Sequence, residues 1–203
     1  MLHVLDSAQA PSEDAVLRAM FAARKRIFVD LLKWDVPVVD ERYEIDQFDD
    51  AHAVYLVLAD DQGAHLGSAR LLPTNRPHIL GTLYPELCAA TVPRGPQIYE
   101  ITRFCLDRRL HARERRAVRD TLVTALVEHA LAHGITGYTA IAEMGWFQQI
   151  LSFGWGSRPL GLPYMDRGTM LAALAIEITR ETPALLRSAG IHPQFATDRR
   201  QAA

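Results

Sequence analysis

The chain has 203 residues, 49% of them apolar and 23% charged, so it is long enough to bury a core and too apolar to be disordered. Its 22 basic and 24 acidic residues leave a formal net charge of −2, which excludes a global field for nucleic acid or anionic lipid. Two cysteines, Cys88 and Cys105, without cysteine or histidine close by exclude a disulfide framework and a structural zinc site. These features predict one cytoplasmic domain over 1–203, with no secretory leader and no membrane span.

In chain order, Val16, Leu17, Met20, Phe21, Ile27, Phe28, Leu31 and Leu32 recur at helical spacing, with Pro11 and Ser12 as the helix entry. The polar, acidic and aromatic stretch 33–52 reads as a long loop, a length that is uncommon in compact domains and often functional. Two strands, AVYLVLAD and HLGSARLL, flank the turn Asp61-Gln62-Gly63. A short helix or irregular lid over HILGTLYPELCAA comes next, then a strand, IYEITRFCLD. A long helix from Arg113 to His133 ends at Gly134, followed by the strand GYTAIAE, the helix GWFQQILSFG, the buried strand MLAALAIEIT and a short C-terminal helix. This alternation predicts an α/β domain with a mixed sheet.

Nucleophile-elbow, Walker and G-x-G-x-x-G signatures are absent, and His129 and His133, one helical turn apart, lack a third ligand; no metal is expected. The loop carboxylates Glu41, Glu44, Asp46, Asp49 and Asp50 are interleaved with Tyr43, Ile45 and Phe48, a composition suited to a cationic ligand. Arg70, between Ala69 and Leu71 in a strand, needs a carboxylate partner if buried, and the loop supplies candidates. Arg24 and Phe28 share a helix face, with Trp34 just beyond it. Glu100 and Arg103 lie three apart on one strand and point to opposite faces if it is regular, so a shared role requires a break between them, such as a β-bulge. Arg108, Arg109, Arg113, Arg115, Arg116 and Arg119 crowd the start of the long helix as a solvated basic face or a docking patch for an acidic partner.

In order, R-x-x-x-F (Arg24, Phe28), Trp34, E-x-D-x-x-D (Glu44, Asp46, Asp49), G-x-x-R-L-L-P (Gly67 to Pro73) and E-x-x-R-F (Glu100, Arg103, Phe104) resemble the acyl-homoserine lactone synthases, the LuxI-type autoinducer synthases. The resemblance runs from about Phe21 to Asp107 and more weakly to about Gly161. It implies a GCN5-type N-acyltransferase fold, a mixed central sheet with splayed strands flanked by helices. The implied reaction joins S-adenosyl-L-methionine, a substrate and not a cofactor, to an acyl thioester. The products are N-acyl-L-homoserine lactone, 5′-methylthioadenosine and the free carrier, which is acyl carrier protein in most members and coenzyme A in a minority.

By the same resemblance, Glu100, Arg70, Asp46 and Asp49 are the catalytic set, and Arg24, Phe28, Trp34, Arg103 and Phe104 bind adenosylmethionine. Trp34 and Phe28 offer π-faces to its cationic groups, Arg103 a fork to its carboxylate, and a partly desolvated Glu100 takes the proton from its amine. Tyr84, Ala142, Met144, Trp146, Phe147, Ile150 and Leu151 line the acyl tunnel, and Arg108, Arg109, Arg113 and Arg116 dock the carrier. Tyr84 departs from the phenylalanine of many members. Ala142 stands near the threonine common in makers of 3-oxo products, with Thr139 the nearest hydroxyl, so an unsubstituted chain is implied. Two rivals remain: an acetyl-coenzyme A N-acetyltransferase of the same fold, disfavoured because LDRRLHARERR has no glycine for a pyrophosphate loop, and a silent module that binds adenosylmethionine or an acyl carrier. Methylthioadenosine release separates the synthase from both.

Overall fold

A computed structural model describes residues 1–6, 15–195 and 200–201. Its elements are β1 (Leu2–Asp6), α1 (Ala15–Arg24), β2 (Val38–Val39), β3 (Tyr43–Glu44), β4 (Val54–Ala59), β5 (His65–Pro73), α2 (Ile79–Leu83), β6 (Ile98–Leu106) and α3 (Ala112–His133). They continue with β7 (Gly137–Glu143), α4 (Met144–Leu151), β8 (Ser157–Pro159), β9 (Tyr164–Asp166), β10 (Thr169–Glu177), α5 (Thr182–Ser188) and β11 (Arg200–Gln201). The predicted helix entry at Pro11 and Ser12 lies outside the described residues.

The chain forms two compact units: residues 1–70, 103–122 and 193–203 in the first, and residues 71–102 and 123–192 in the second. In the first unit β4 lies between β1, to which it is antiparallel, and β5, while β11 runs parallel to β1. Apolar side chains of α1 cover the sheet, with Phe21 edge-on to Tyr55 at 5.7 Å. The first half of α3 approaches β5 where the strand has no side chain: a Cβ on Gly67 would stand 2.7 Å from Val118 Cγ1 and 2.9 Å from Leu122 Cδ1. In the second unit the order is β6-β7-β10-β8, with β9 also on β10. There β6 and β7 are parallel and β10 is antiparallel to β7, β8 and β9, a mixed sheet as predicted.

The first helix departs from the predicted single run. After Arg24 the backbone widens into a π-helical stretch, Lys25–Leu31, with Leu32 N donating to Ile27 O at 3.0 Å. Apolar spacing does not distinguish four-residue from five-residue hydrogen bonding, and π-turns concentrate at functional sites. Strand β1 was not predicted, because five residues at a terminus carry no flanking turn signal. Within the long acidic loop the backbone forms the two-residue ladder β2–β3, Val38 with Glu44 and Val39 with Tyr43. Long helix α3 ends as expected: Gly134 takes a φ of 68°, and Ile135 N donates back to Ala130 O at 2.9 Å.

Candidate active site

The acidic loop, α1, β5 and β6 meet inside the first unit in a network of three arginines and three carboxylates. Arg24 gives Nη1 and Nη2 to the two oxygens of Asp49 at 2.7 and 2.8 Å, and Nε to Glu44 Oε2 at 2.5 Å. Arg70 forks onto Asp46 at 2.7 and 3.0 Å and reaches Asp49 Oδ1 at 2.7 Å. Arg103 spans Glu44 Oε1 at 2.9 Å and Asp46 Oδ2 at 2.7 Å. The Tyr55 hydroxyl donates to Asp49 Oδ1 at 2.8 Å, and the loop amides of Asp46 and Phe48 donate to Asp49 and Asp46. Arg24 and Arg70 are each 1% exposed and Glu44 is fully buried.

Three positive charges meet three negative ones, so the group is neutral as a set, the condition on which buried charge is tolerated. Burial opposes ionisation of Asp49, but the guanidinium groups of Arg24 and Arg70 overcome it and hold the carboxyl well below the usual carboxylate range. Burial followed by the Asp49 charge pushes the Tyr55 phenol up, so it stays a donor. Sequence reasoning offered these carboxylates to an external cation; the structure gives them to the chain's own arginines. The carboxylate partner of Arg70 was open among the loop acids in the sequence, and it is Asp46 with Asp49. Glu44 joins Arg24, 20 residues before it, to Arg103, 59 residues after it, which no local signal reports.

Arg103 has a φ of 50°, in the left-handed region that costs a side-chain-bearing residue about 1–3 kcal/mol. The expected break lay between Glu100 and Arg103; the irregular residue is Arg103 itself, in a strand that continues to Leu106, two residues beyond the β6–β7 register that runs from Ile98 with Gly137 to Ile101 with Ala140. Phe28 and Trp34 stack on each other with centroids 4.7 Å apart, and Arg103 Cζ lies 5.5 and 5.7 Å from their rings. The cation these faces carry here is thus Arg103 itself. Its Nε and Nη2 are held by Glu44 and Asp46, so Nη1 is left to meet a further anion. Phe104, next along β6, is half-buried.

In the second unit Glu100 is fully buried and its Oε1 accepts the Leu80 N–H, in the first turn of α2, at 2.9 Å. Tyr84 packs on the cluster of Leu80, Leu87 and Ala173, alongside Ile141 and Leu171, and donates its hydroxyl to Asp166 Oδ2 at 3.0 Å. Among the other expected acyl-tunnel residues, Ala142, Phe147 and Ile150 are buried. Met144 and Trp146 are half-buried, Trp146 edge-on to Phe153 at 5.9 Å, and Leu151 lies at the surface.

Arg108, Arg109, Arg113 and Arg116 are all exposed, Arg109 paired with Asp107 at 2.6 Å. Arg109 also joins Arg18, Arg26 and Arg42 around a 560 Å³ hollow in the first unit, a basic extension that sequence spacing did not reveal. Burial pushes the His65 imidazole at its edge down to about 4, with Arg26 and Arg109 adding to the effect. His129 and His133 stack at 4.1 Å, and the Nδ1 of His133 is taken up by the His129 carbonyl. No helix among the described residues is long and apolar enough to cross a membrane.

The sequence model of the autoinducer synthases matches residues 8–185. The chain belongs to the autoinducer synthase family. It is similar to the isovaleryl-homoserine lactone synthase of Bradyrhizobium diazoefficiens, 30% identical over 90% of this chain and 82% of that one. An acyl-homoserine-lactone synthase of Rhizobium etli is 30% identical over 93% and 89%. Among solved structures, the CoA-dependent acyl-homoserine lactone synthase BjaI with MTA superposes at a TM-score of 0.83 and 29% identity, covering 94% of this chain and 90% of that one. MesI, also described as CoA-dependent, superposes at 0.84 and 28%, covering 98% and 100%. A putative N-acetyltransferase from Lactobacillus plantarum shares the fold alone, at 0.55 and 19%, covering 88% and 98%. The expected fold class therefore holds, and this autoinducer synthase is a transferase of the acyl-homoserine-lactone synthase type.

Proposed function

We propose that this synthase binds S-adenosyl-L-methionine with the groups gathered around Arg103 and acylates its amine from a thioester, using Glu100 as the base. The observation that carries the reading is Arg103. It is clamped by two carboxylates, backed by the Phe28–Trp34 stack and set by a left-handed backbone angle, with Nη1 available for the substrate's carboxylate. Arg24, Arg70, Glu44, Asp46 and Asp49 act as positioning groups, because their charges are spent on one another and on Arg103. BjaI has been solved with SAM and isopentyl-CoA, which supports both substrate classes for this chain.

In the first step the ammonium gives one proton to Glu100, and the nitrogen lone pair forms a C–N bond to the thioester carbonyl carbon. The C–S bond breaks as the tetrahedral adduct collapses, and the departing thiolate takes the second nitrogen proton. In the second step a carboxylate oxygen attacks Cγ, and the sulfonium sulfur leaves with the bonding pair as 5′-methylthioadenosine.

For the donor, acyl carrier protein is the reading supported by exposed Arg108, Arg113 and Arg116 and by the arginine-lined hollow beside Arg109, since these offer charge to an acidic surface. Acyl-coenzyme A is the second reading, favoured by the CoA dependence of BjaI and MesI. Purified protein with adenosylmethionine and matched acyl-carrier and acyl-CoA donors tests all of this. One methylthioadenosine per acyl-homoserine lactone is expected, with the higher kcat/KM marking the donor. Absence of methylthioadenosine with every donor would overturn the reading.

A further inference from the structure

Three other buried threonines spend their hydroxyls. Thr74 Oγ1 donates to Ile98 O at 2.8 Å, Thr121 Oγ1 donates to Ala117 O at 2.8 Å, and Thr182 Oγ1 accepts the Thr179 N–H at 2.9 Å. Thr139 is different. It is fully buried in the middle of β7, yet its Oγ1 has no hydrogen-bond partner. A buried hydroxyl without a partner weakens a fold, and valine has the same shape, a higher strand preference and no polar atom to bury. The fold by itself favours valine here.

The register explains what the hydroxyl is near. In the parallel β6–β7 ladder Thr139 is the direct partner of Glu100, so the two side chains rise from the same face of the sheet. Helix α2 lies over that face, because Leu80 N–H donates to Glu100 Oε1 and α2 packs against β7. An unspent hydroxyl and a buried carboxylate thus stand side by side beneath one turn of helix.

We propose that Thr139 is a catalytic residue that relays the proton to Glu100. Its hydroxyl, donor and acceptor at once, accepts a hydrogen bond from the incoming proton donor and gives its own to the Glu100 carboxylate. As the ammonium N–H bond breaks, that proton bonds to Oγ1 while the Oγ1 proton moves to the carboxylate, leaving the hydroxyl unchanged. This inference rests on the reading of Glu100 as the base.

The test compares Thr139→Val, Thr139→Ser, Glu100→Gln and the double variant Glu100→Gln/Thr139→Val in steady-state kinetics and thermal unfolding. Thr139→Val is expected to lower kcat by at least about tenfold, to leave KM for adenosylmethionine within about twofold, and to keep or raise Tm. Thr139→Ser, which restores the hydroxyl in a smaller side chain, is expected to recover most of kcat, and the double variant to be no slower than Glu100→Gln alone. A Thr139→Val enzyme with unchanged kcat beside an inactive Glu100→Gln would overturn the relay and leave the base in place. An active Glu100→Gln would remove the base, and the relay with it. A Thr139→Val chain that fails to fold would also overturn the proposal, since it would show that the hydroxyl supports the fold.

Discussion

The carboxylates of the two units are handled in opposite ways. In the first unit Glu44, Asp46 and Asp49 are saturated by three guanidinium groups, a phenol and loop amides, so every charge is spent on geometry. In the second, Glu100 is equally buried and accepts a backbone N–H from a five-residue helix, beside a hydroxyl with no hydrogen-bond partner. The contrast teaches that burial alone does not mark the reacting group. A carboxylate locked into bidentate arginine pairs is committed to one position, which suits holding a substrate.

The comparison can be broken at several points. Glu100→Gln is expected to reduce turnover by roughly 10²–10⁴-fold while Tm stays near that of the parent, because the amide still accepts from Leu80 N–H; methylthioadenosine release and calorimetry measure the two effects. Asp49→Ala does the reverse in origin. It leaves three buried guanidinium groups on two carboxylates, Arg24 keeping Glu44 and Arg70 keeping Asp46, and should cost about 3–5 kcal/mol in urea unfolding, with activity lost through misplacement of Arg103.

Acid sharpens the same point. The folded-state pKa of Asp49 lies below its unfolded value, so its contribution is complete above pH ~5 and is lost as pH falls through the unfolded and then the folded value. Urea midpoints taken from pH 6 downward should fall more steeply for the parent than for Asp49→Asn. Reversing Arg113 and Arg116 to glutamate should raise KM for an acyl-carrier donor several-fold, leave kcat unchanged, and disappear at high salt. The smallest effect belongs to Tyr84→Phe, which removes the hydrogen bond to Asp166. A loss of about 0.5–1.5 kcal/mol of stability is expected, read as a small fall in Tm.

Much of this was legible in the sequence. Helix α3 was legible with Gly134 as its stop, and the spacing of Glu100 and Arg103 directed attention to the stretch of β6 in which Arg103 takes a left-handed backbone angle. What escaped depends on distance along the chain. Glu44 reads as one acid among five until Arg24, twenty residues before it, and Arg103, fifty-nine after it, close around it. The π-helical stretch carrying Phe28 escaped because side-chain spacing reports which face is apolar and not which carbonyl each amide reaches. Thr139 appeared as a hydroxyl near the acyl tunnel. Its place opposite Glu100 depends on the register of two parallel strands separated by a helix, which a periodicity of two leaves open.

The unit boundaries carry a practical consequence for anyone dissecting the enzyme. Three of the four fall inside β5, β6 and α3, between residues 70 and 71, 102 and 103, and 122 and 123. Neither half is a contiguous stretch of polypeptide, so truncated clones ending at those positions would sever a strand or a helix and should yield insoluble fragments. Split-protein or circularly permuted versions are better opened at the Asp61–Gly63 turn, where the backbone already reverses direction at the surface.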